Sequence, residues 1–186
     1  TAELSIGLMF SLARNISQAN KYLHSGEWNK KKFSGSELEG KVLGIIGVGR
    51  IGKKEAQKAH ALGMKIIGYD ILKIDVPYIE QQSLHGLLTK SDFVSVHTGG
   101  EEEIIGKNEL DLMKPTAYLI NTARDSNVNY SELYSHLVAG KIKGAAIDVH
   151  PNEPKGVDNY YSIFQGMENV IITPHLGAST KEAQEK

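Results

Sequence analysis

The fold is decided by residues 42–52, VLGIIGVGRIG, where an apolar run is followed at once by closely spaced glycines and then by a helical pattern. A strand, a glycine-rich turn and a helix in this order form the dinucleotide-binding unit of doubly wound α/β folds. In such a unit Gly47 permits the tight turn and Gly49 lets the backbone approach a pyrophosphate. Gly52 lets the helix pack closely against the strand.

The residues after the glycines complete this predicted cofactor site. At Arg50 and Ile51 the helix N-terminus offers unpaired N–H groups and a partial positive charge to phosphates. The next apolar run, 66–69, ends at Asp70, where a carboxylate can accept bonds from ribose hydroxyls and repel a 2′-phosphate. The sequence therefore predicts NAD rather than NADP, with Lys73 as a nearby charge that would weaken the preference. The alternative is a purely structural glycine turn followed by an ordinary turn aspartate.

Apolar runs and helical patterns alternate along the rest of the chain. The runs predicted as strands are 42–46, 65–69, 92–96, 117–120, 143–148 and 169–172, and the predicted helices are 2–23, 51–62, 79–89 and 129–139. This alternation predicts an α/β fold with a Rossmann-type, doubly wound parallel sheet in three layers, α/β/α. We expect one dinucleotide-binding domain over residues 1–186. Trp28 and Phe33 are the expected anchors of the polar segment 25–41.

Composition excludes several classes of function. The chain has 186 residues, 40% of them hydrophobic, a net charge of −1 and no cysteine. Disulfides and cysteine-based zinc sites are therefore excluded, and no pair of histidines has convincing metal-ligand spacing. We interpret the lysines at 30–32 as a solvated loop, so no nucleic-acid partner is expected. No apolar stretch is long enough for a membrane span and no signal peptide is evident, so we expect a soluble, cytoplasmic protein.

Polar residues follow the predicted strands at positions that should share one edge of the sheet. They are Asp70, His97, Arg124, Asp148 and His175. Oxidation of a 2-hydroxy acid requires a base for the hydroxyl proton, a cation for the carboxylate, and a carboxylate that orients the base. His175 suits the first role because histidine titrates near neutral pH. Arg124 suits the second because its guanidinium binds a carboxylate with two bonds, and Glu153 suits the third.

Three segments carry a resemblance to a known family. Residues 121–124 (NTAR), 148–154 (DVHPNEP) and 173–180 (TPHLGAST) resemble, in this order, the signatures of the D-isomer-specific 2-hydroxyacid dehydrogenases. The resemblance covers essentially the whole chain and implies an NAD-dependent oxidoreductase. Segments 26–28, 43–47 and 174–184 are most similar to family members that oxidise D-3-phosphoglycerate, a step of serine biosynthesis.

The resemblance also implies roles for individual residues. Arg124 would hold the substrate carboxylate and polarise the carbonyl oxygen, His175 would be the general acid/base, and Glu153 would pair with it. Further cofactor contacts would come from His97, Thr98, Thr122, Ala123, Asp148 and Gly177, with Asp148 binding the nicotinamide carboxamide or lining its pocket. The substrate would be a small 2-hydroxy or 2-keto acid.

The same resemblance implies what surrounds the chain. Members of the family place a substrate domain before and after this one, and those segments are absent from residues 1–186. We therefore expect the chain alone to bind NAD but to turn over poorly. The first helix and the Trp28 loop resemble the part that crosses to a second subunit, so we expect a homodimer.

Two departures from the family leave a second hypothesis open. After His97 the chain reads TGGEEE (98–103) where the family usually has an apolar residue followed by Pro-Leu-Thr. After Arg124 it has Asp125 and Ser126 in place of two glycines, which suit close approach or positive φ. These changes bear on the substrate and the rate, and not on cofactor binding. The alternative function is an NAD(H)-responsive binding or corepressor-like module with little catalysis.

Overall fold

One parallel sheet forms the centre of the molecule. In the computed structural model, which describes residues 1–185, its strands are β1 (Val42–Ile46), β2 (Lys65–Tyr69), β3 (Ile79–Gln81), β4 (Phe93–Val96), β5 (Tyr118–Asn121), β6 (Gly144–Ile147) and β7 (Val170–Ile172). Every pairing is parallel and the spatial order is β3-β2-β1-β4-β5-β6-β7. This is the Rossmann strand order with an additional strand at one edge. The predicted fold class is confirmed.

The helices cover both faces of the sheet. They are α1 (Ala2–Arg14), α2 (Ile16–His24), α3 (Arg50–Ala61), α4 (Leu84–Lys90), α5 (Lys107–Leu112), α6 (Tyr130–Val138) and α7 (Lys181–Gln184), with short 3-10 helices at Lys30–Phe33 and Asp125–Asn127. None of the helices described over residues 1–185 is long and apolar enough to cross a bilayer.

The core is divided in two by the sheet, because successive strand residues point to opposite faces. In β1, Leu43 and Ile45 pack with α1 and α3, whereas Ile46 packs on the side of α4, α5 and α6. In β4, Phe93 joins the first cluster and Val94 the second. Helix α1 contacts β5, β6 and β7 as well as α3. It therefore covers the half of the sheet that α3 does not reach.

The polar residues that follow the strands lie at the carboxyl ends of the strands, next to the point where the strand order reverses. After β1 the chain crosses to β2 on one side, whereas β4 pairs with β1 on the other. In doubly wound folds this switch point, at the carboxyl ends of the strands, is where ligands bind. The glycine turn follows β1 and therefore lies at this position.

Several predicted elements differ in the structure. The single helix expected over 2–23 is two helices, because Asn15 between them takes a left-handed conformation with φ of 53°. The segment 79–89 begins as the edge strand β3 and becomes helical only after Ser83, whose side chain accepts a bond from Gly86 N–H. Helix α5 was not predicted.

The loop between α2 and β1 is also held differently from the prediction. Trp28 does not anchor it within this chain, since its side chain is 82% exposed. Phe33 does pack, with its ring centroid 5.3 Å from that of Tyr22. The prediction was therefore right for Phe33 and wrong for Trp28.

Candidate functional site

The glycine turn lies so close to the neighbouring main chain that two of its glycines have no room for a side chain. Gly47 has φ of +90°, and a Cβ there would lie 2.8 Å from the main-chain carbonyl of His97. A Cβ on Gly52 would lie 2.2 Å from the carbonyl oxygen of Gly47. A side chain at either position would therefore push the turn away from its neighbours. Gly49 has no heavy atom within 4 Å of its Cβ position among the described residues, so its surface is open to a ligand.

The start of α3 fits a dinucleotide. Gly49 is its N-cap residue, and no side chain of residues 1–185 forms a capping bond there. The first N–H groups of the helix therefore point to the space in front of Gly49, with the positive end of the helix dipole behind them. Arg50 and Ile51 are both exposed at this end of the helix. A phosphate group is the type of ligand that such a helix end favours.

Asp70 lies beside the turn, at the end of β2. Its Oδ2 accepts a bond of 2.7 Å from Val48 N–H, and its Oδ1 accepts one of 2.9 Å from Leu72 N–H. Each oxygen can still accept a second bond, as a ribose hydroxyl would require. The carboxylate therefore both supports the glycine turn and stands at its edge.

His97 and Thr98 form the opposite wall of the turn through their main chain. The His97 imidazole is buried on the α3 side of the sheet, so it does not face the cleft. The Thr98 hydroxyl donates to Asn127 Oδ1 over 2.9 Å, and Asn127 Nδ2 donates to the carbonyls of Gly100 and Glu102. The two departures from the family are therefore connected. The buried Asn127 belongs to the short helix that contains Asp125 and Ser126, and its side chain holds the altered loop 98–103.

Arg124 follows β5 on a loop that Asn121 shapes. Asn121 Nδ2 donates to the Arg124 carbonyl over 2.8 Å, and Asn121 Oδ1 accepts from Ala123 N–H. The Arg124 side chain is exposed and takes part in none of the ion pairs found among residues 1–185. Asp125 therefore does not occupy the guanidinium. Asp125 and Ser126 lie in a short right-handed 3-10 helix, so replacing the family's glycines causes no strain from positive φ.

His175 and Glu153 are in direct contact, although β7 and a long loop separate them in sequence. His175 Nδ1 lies 2.7 Å from Glu153 Oε2, while Glu153 Oε1 accepts from His150 N–H over 2.8 Å. Burial opposes ionisation of Glu153, but the bonds from His175 and His150 outweigh it and hold the pKa of Glu153 below its usual range. Both side chains line a cleft of about 490 Å³ together with Tyr160.

Asp148 fixes the turn that carries His175. It is fully buried at the end of β6, and its Oδ1 accepts from the Thr173 hydroxyl (2.6 Å) and from Leu176 N–H (2.7 Å). Its Oδ2 accepts from Gly177 N–H over 2.8 Å. His175 lies inside this turn with φ of 53°. The Asp148 carboxylate thus directly supports the geometry of His175, a function that the sequence did not indicate.

Tyr130 joins the loop of Arg124 to the loop that carries Glu153, and it was not among the predicted site residues. Its hydroxyl accepts from Asn121 Nδ2 over 3.0 Å and donates to the Val149 carbonyl over 2.8 Å. Burial raises the pKa of Tyr130 well above its usual range, so the hydroxyl keeps its proton and remains a donor. Thr122, the neighbour of Asn121, is held in turn by the buried hydroxyl of Ser5 in α1. The spacing of these residues gives no sequence signal for either contact.

This geometry agrees with comparisons to known proteins. The sequence profile described as "D-isomer specific 2-hydroxyacid dehydrogenase, NAD binding domain" matches residues 6–177. The chain belongs to this family. Its matching part is the family's NAD-binding domain, so the predicted family and cofactor class are confirmed.

Individual relatives carry different substrate names. The D-3-phosphoglycerate dehydrogenase of Methanocaldococcus jannaschii is 42% identical over 98% of this chain and 36% of its own length. The hydroxypyruvate reductase of Thermotoga maritima is also 42% identical, over 100% of this chain and 61% of its own length. Among solved structures, an acyclic imino acid reductase in complex with NADPH and D-Arg aligns with a TM-score of 0.88 at 36% identity, over 99% of this chain and 59% of that one.

The chain thus spans roughly one third to three fifths of the length of the relatives it matches. The matched portion supplies the dinucleotide site and the loops after β5, β6 and β7. It also leaves one side of Arg124 and His175 open, since both residues are exposed.

Proposed function

We propose that this chain is the cofactor half of an enzyme that transfers a hydride between NAD and a D-2-hydroxy acid. The observation that carries the proposal is the contact of 2.7 Å between His175 and Glu153 at the sheet edge that also holds the glycine turn. A histidine with an ionised carboxylate partner is a general base for a hydroxyl proton. NAD, when bound, would accept the hydride from C2 of the hydroxy acid.

In the proposed reaction each of the three residues has a separate task. Arg124, which has no carboxylate partner among residues 1–185, binds the substrate carboxylate through its guanidinium. His175 accepts the hydroxyl proton as C2 loses its hydride, and it returns that proton to the carbonyl oxygen in the reverse direction. Glu153 stays ionised, because its pKa is lowered, and stabilises the imidazolium that forms.

The cofactor contacts that we propose are those predicted from the sequence. We propose that Gly47, Gly49 and Gly52 with the N–H groups at Arg50 and Ile51 bind the pyrophosphate, and that Asp70 binds the adenosine ribose. Residues 97, 98, 122 and 123 would line the cofactor through their main chain, and Gly177 would border the nicotinamide, with the fully buried Asp148 holding the turn behind it.

The substrate we favour is D-3-phosphoglycerate, which would place the enzyme in serine biosynthesis in the cytoplasm. Several of the relatives are named D-3-phosphoglycerate dehydrogenase, while others are named hydroxypyruvate reductase or glyoxylate reductase. Arg124 would bind the carboxylate that the substrates of these enzymes share. The phosphate of D-3-phosphoglycerate must therefore be recognised elsewhere. We propose that a substrate domain outside residues 1–186 supplies that recognition and closes over His175.

We further propose a homodimer formed through α2 and the loop after it. Apolar side chains are exposed there: Leu23 is 56% exposed and Trp28 82% exposed. Light scattering on the wild-type chain and on Trp28→Ser tests this proposal. A dimer that weakens in Trp28→Ser supports it, whereas a monomeric wild-type chain at working concentration contradicts it.

The catalytic proposal is tested on the full-length protein with NADH and three keto acids: 3-phosphohydroxypyruvate, hydroxypyruvate and glyoxylate. His175→Ala should lower kcat by a factor of about 10²–10⁴ and leave the affinity for NADH unchanged. His85→Ala, which alters an exposed histidine of α4, is the matched control and should retain full activity. Full activity in His175→Ala would reject the role of His175. NADH binding without turnover of any keto acid would favour the alternative binding or corepressor-like module.

A further inference from the structure

A buried acidic residue interrupts the apolar face of α3. The residues of this helix that face the sheet are Gly52, Glu55, Ala56 and Ala59, and Glu55 is 0% exposed. Its Oε1 accepts from the Ser95 hydroxyl over 3.0 Å, and its Oε2 lies 2.5 Å from His97 Nε2. Ser95 is also 0% exposed, and the His97 side chain is 1% exposed. We refer to Glu55, Ser95 and His97 as the Glu55 cluster.

Stability alone gives no reason for this cluster. Removing a carboxylate and an imidazole from water is costly, and apolar side chains of similar volume are often at least as stable in such positions. The cluster is also incompletely satisfied, because His97 Nδ1 is buried and has no partner among residues 1–185. A buried polar cluster with an unpaired nitrogen stabilises a core less than well-packed apolar side chains would.

The position of the cluster suggests a different purpose. Glu55 belongs to the helix whose N-terminus faces the proposed pyrophosphate site, and His97 directly follows β4. The carbonyl of His97 stands 2.8 Å from the Cβ position of Gly47, and His97 N–H donates to the Ile46 carbonyl over 2.7 Å. The cluster therefore connects two walls of the glycine turn: the helix on one side and the main chain at 97–98 on the other.

We propose that Glu55 is a positioning residue for cofactor binding. Through His97 and Ser95 it fixes the distance between the N-terminus of α3 and the main chain at residues 97–98, between which the pyrophosphate binds. The inference rests on the proposed assignment of the pyrophosphate to the glycine turn. Hydrogen bonds define this distance more narrowly than apolar packing, because they tolerate little change in length or angle.

The test measures NADH affinity and stability separately, on the whole chain. Glu55→Val leaves the buried Ser95 hydroxyl and His97 imidazole without their carboxylate partner, so it should weaken NADH binding about tenfold and also lower the urea midpoint. Glu55→Gln keeps the size and the hydrogen-bonding capacity, so it should restore most of the affinity. Ser95→Ala removes one contact from the strand side and should weaken binding by a smaller factor. This last variant also serves if Glu55→Val fails to fold.

His136→Phe is the matched control for a buried histidine. His136 is 3% exposed in α6 on the other face of the sheet, where its Nε2 lies 3.1 Å from Asp111 Oδ1. This variant should lose stability and keep its NADH affinity. Wild-type affinity in both Glu55→Val and Ser95→Ala would overturn the inference and leave the proposed function intact. Affinity losses that merely follow stability across all variants, His136→Phe included, would also overturn it. A folded wild-type chain without NADH binding would overturn both.

Discussion

Replacement of Asp148 by asparagine tests whether this carboxylate holds the turn around His175. The wild-type carboxylate accepts three bonds, of 2.6, 2.7 and 2.8 Å, from Thr173, Leu176 and Gly177. An asparagine has only one acceptor atom. In its better orientation the amide oxygen keeps the bonds from Thr173 and Leu176, and the amide nitrogen then faces Gly177 N–H, donor against donor.

The cost follows from this geometry. One hydrogen bond to a charged group is lost, which is worth about 1.5–3 kcal/mol, and the two remaining bonds lose the contribution of the charge. Because Asp148 is fully buried, water cannot replace the missing acceptor for Gly177 N–H. We expect Asp148→Asn to lower the free energy of unfolding by about 2–4 kcal/mol. A typical domain has about 5–15 kcal/mol in total, so the variant should still fold.

Urea denaturation followed by circular dichroism is the appropriate assay. Fluorescence is a weaker probe, because the single tryptophan, Trp28, is 82% exposed in the folded chain. Thr173→Val is the matched comparison, since it removes one donor and leaves the carboxylate with two. It should cost less than Asp148→Asn, about 1 kcal/mol. Hydrogen exchange should show faster exchange of the amides at 176 and 177 in Asp148→Asn. A loss below about 0.5 kcal/mol, with unchanged exchange, would refute the role given to Asp148.

Three further changes have definite expected outcomes. Gly52→Ala places a Cβ 2.2 Å from the main chain of the glycine turn; it should cost about 1–3 kcal/mol in urea and weaken NADH binding at least about tenfold in a fluorescence titration. Tyr130→Phe removes the bond from Asn121 Nδ2 and the bond to the buried Val149 carbonyl, and it should cost about 1–3 kcal/mol by the same denaturation assay. Burial raises the pKa of Asp92, but the bonds that its carboxylate accepts from Val42 N–H and from Lys114 outweigh this effect and hold that pKa below 3.8. The stability advantage of the wild type over Asp92→Asn should therefore be complete above pH 3.8 and disappear as the pH falls through the lowered pKa; an advantage independent of pH in acid-unfolding curves would contradict this.

The fold was largely predictable because its longer elements carry clear periodicity. Six of the strands coincide with apolar runs, and α3 and α6 follow the predicted helical patterns within a residue or two. The edge strand β3 was missed because it has only three residues and two of them, Glu80 and Gln81, are exposed. Helix α5 has six residues, too few for a periodic pattern. The break at Asn15 was missed because neither glycine nor proline marks it.

The candidate site was predictable where a residue acts alone, and less so where its role depends on contacts distant in sequence. The pairing of Glu153 with His175 was expected, and the structure brings the two side chains together. The Tyr130 hydroxyl donates to the Val149 carbonyl, 19 residues further along the chain, and a single sequence contains no pattern for such a contact. Glu55 could have been recognised from the sequence, because it is a charged residue among the positions of α3 that face the sheet. Ser95 in β4 and His97 directly after it are likewise polar residues two positions apart, so they share one face of the sheet.

We propose above all that the glycine turn and Asp70 form an NAD site. Titration of the wild-type chain with NADH and with NADPH, followed by nicotinamide fluorescence, tests it most directly, with Asp70→Ala as the comparison. We expect saturable NADH binding, much weaker NADPH binding, and loss of this preference in Asp70→Ala. Equal affinity for both cofactors would contradict the role of Asp70. Absence of NADH binding by a chain shown to be folded would contradict the cofactor site itself.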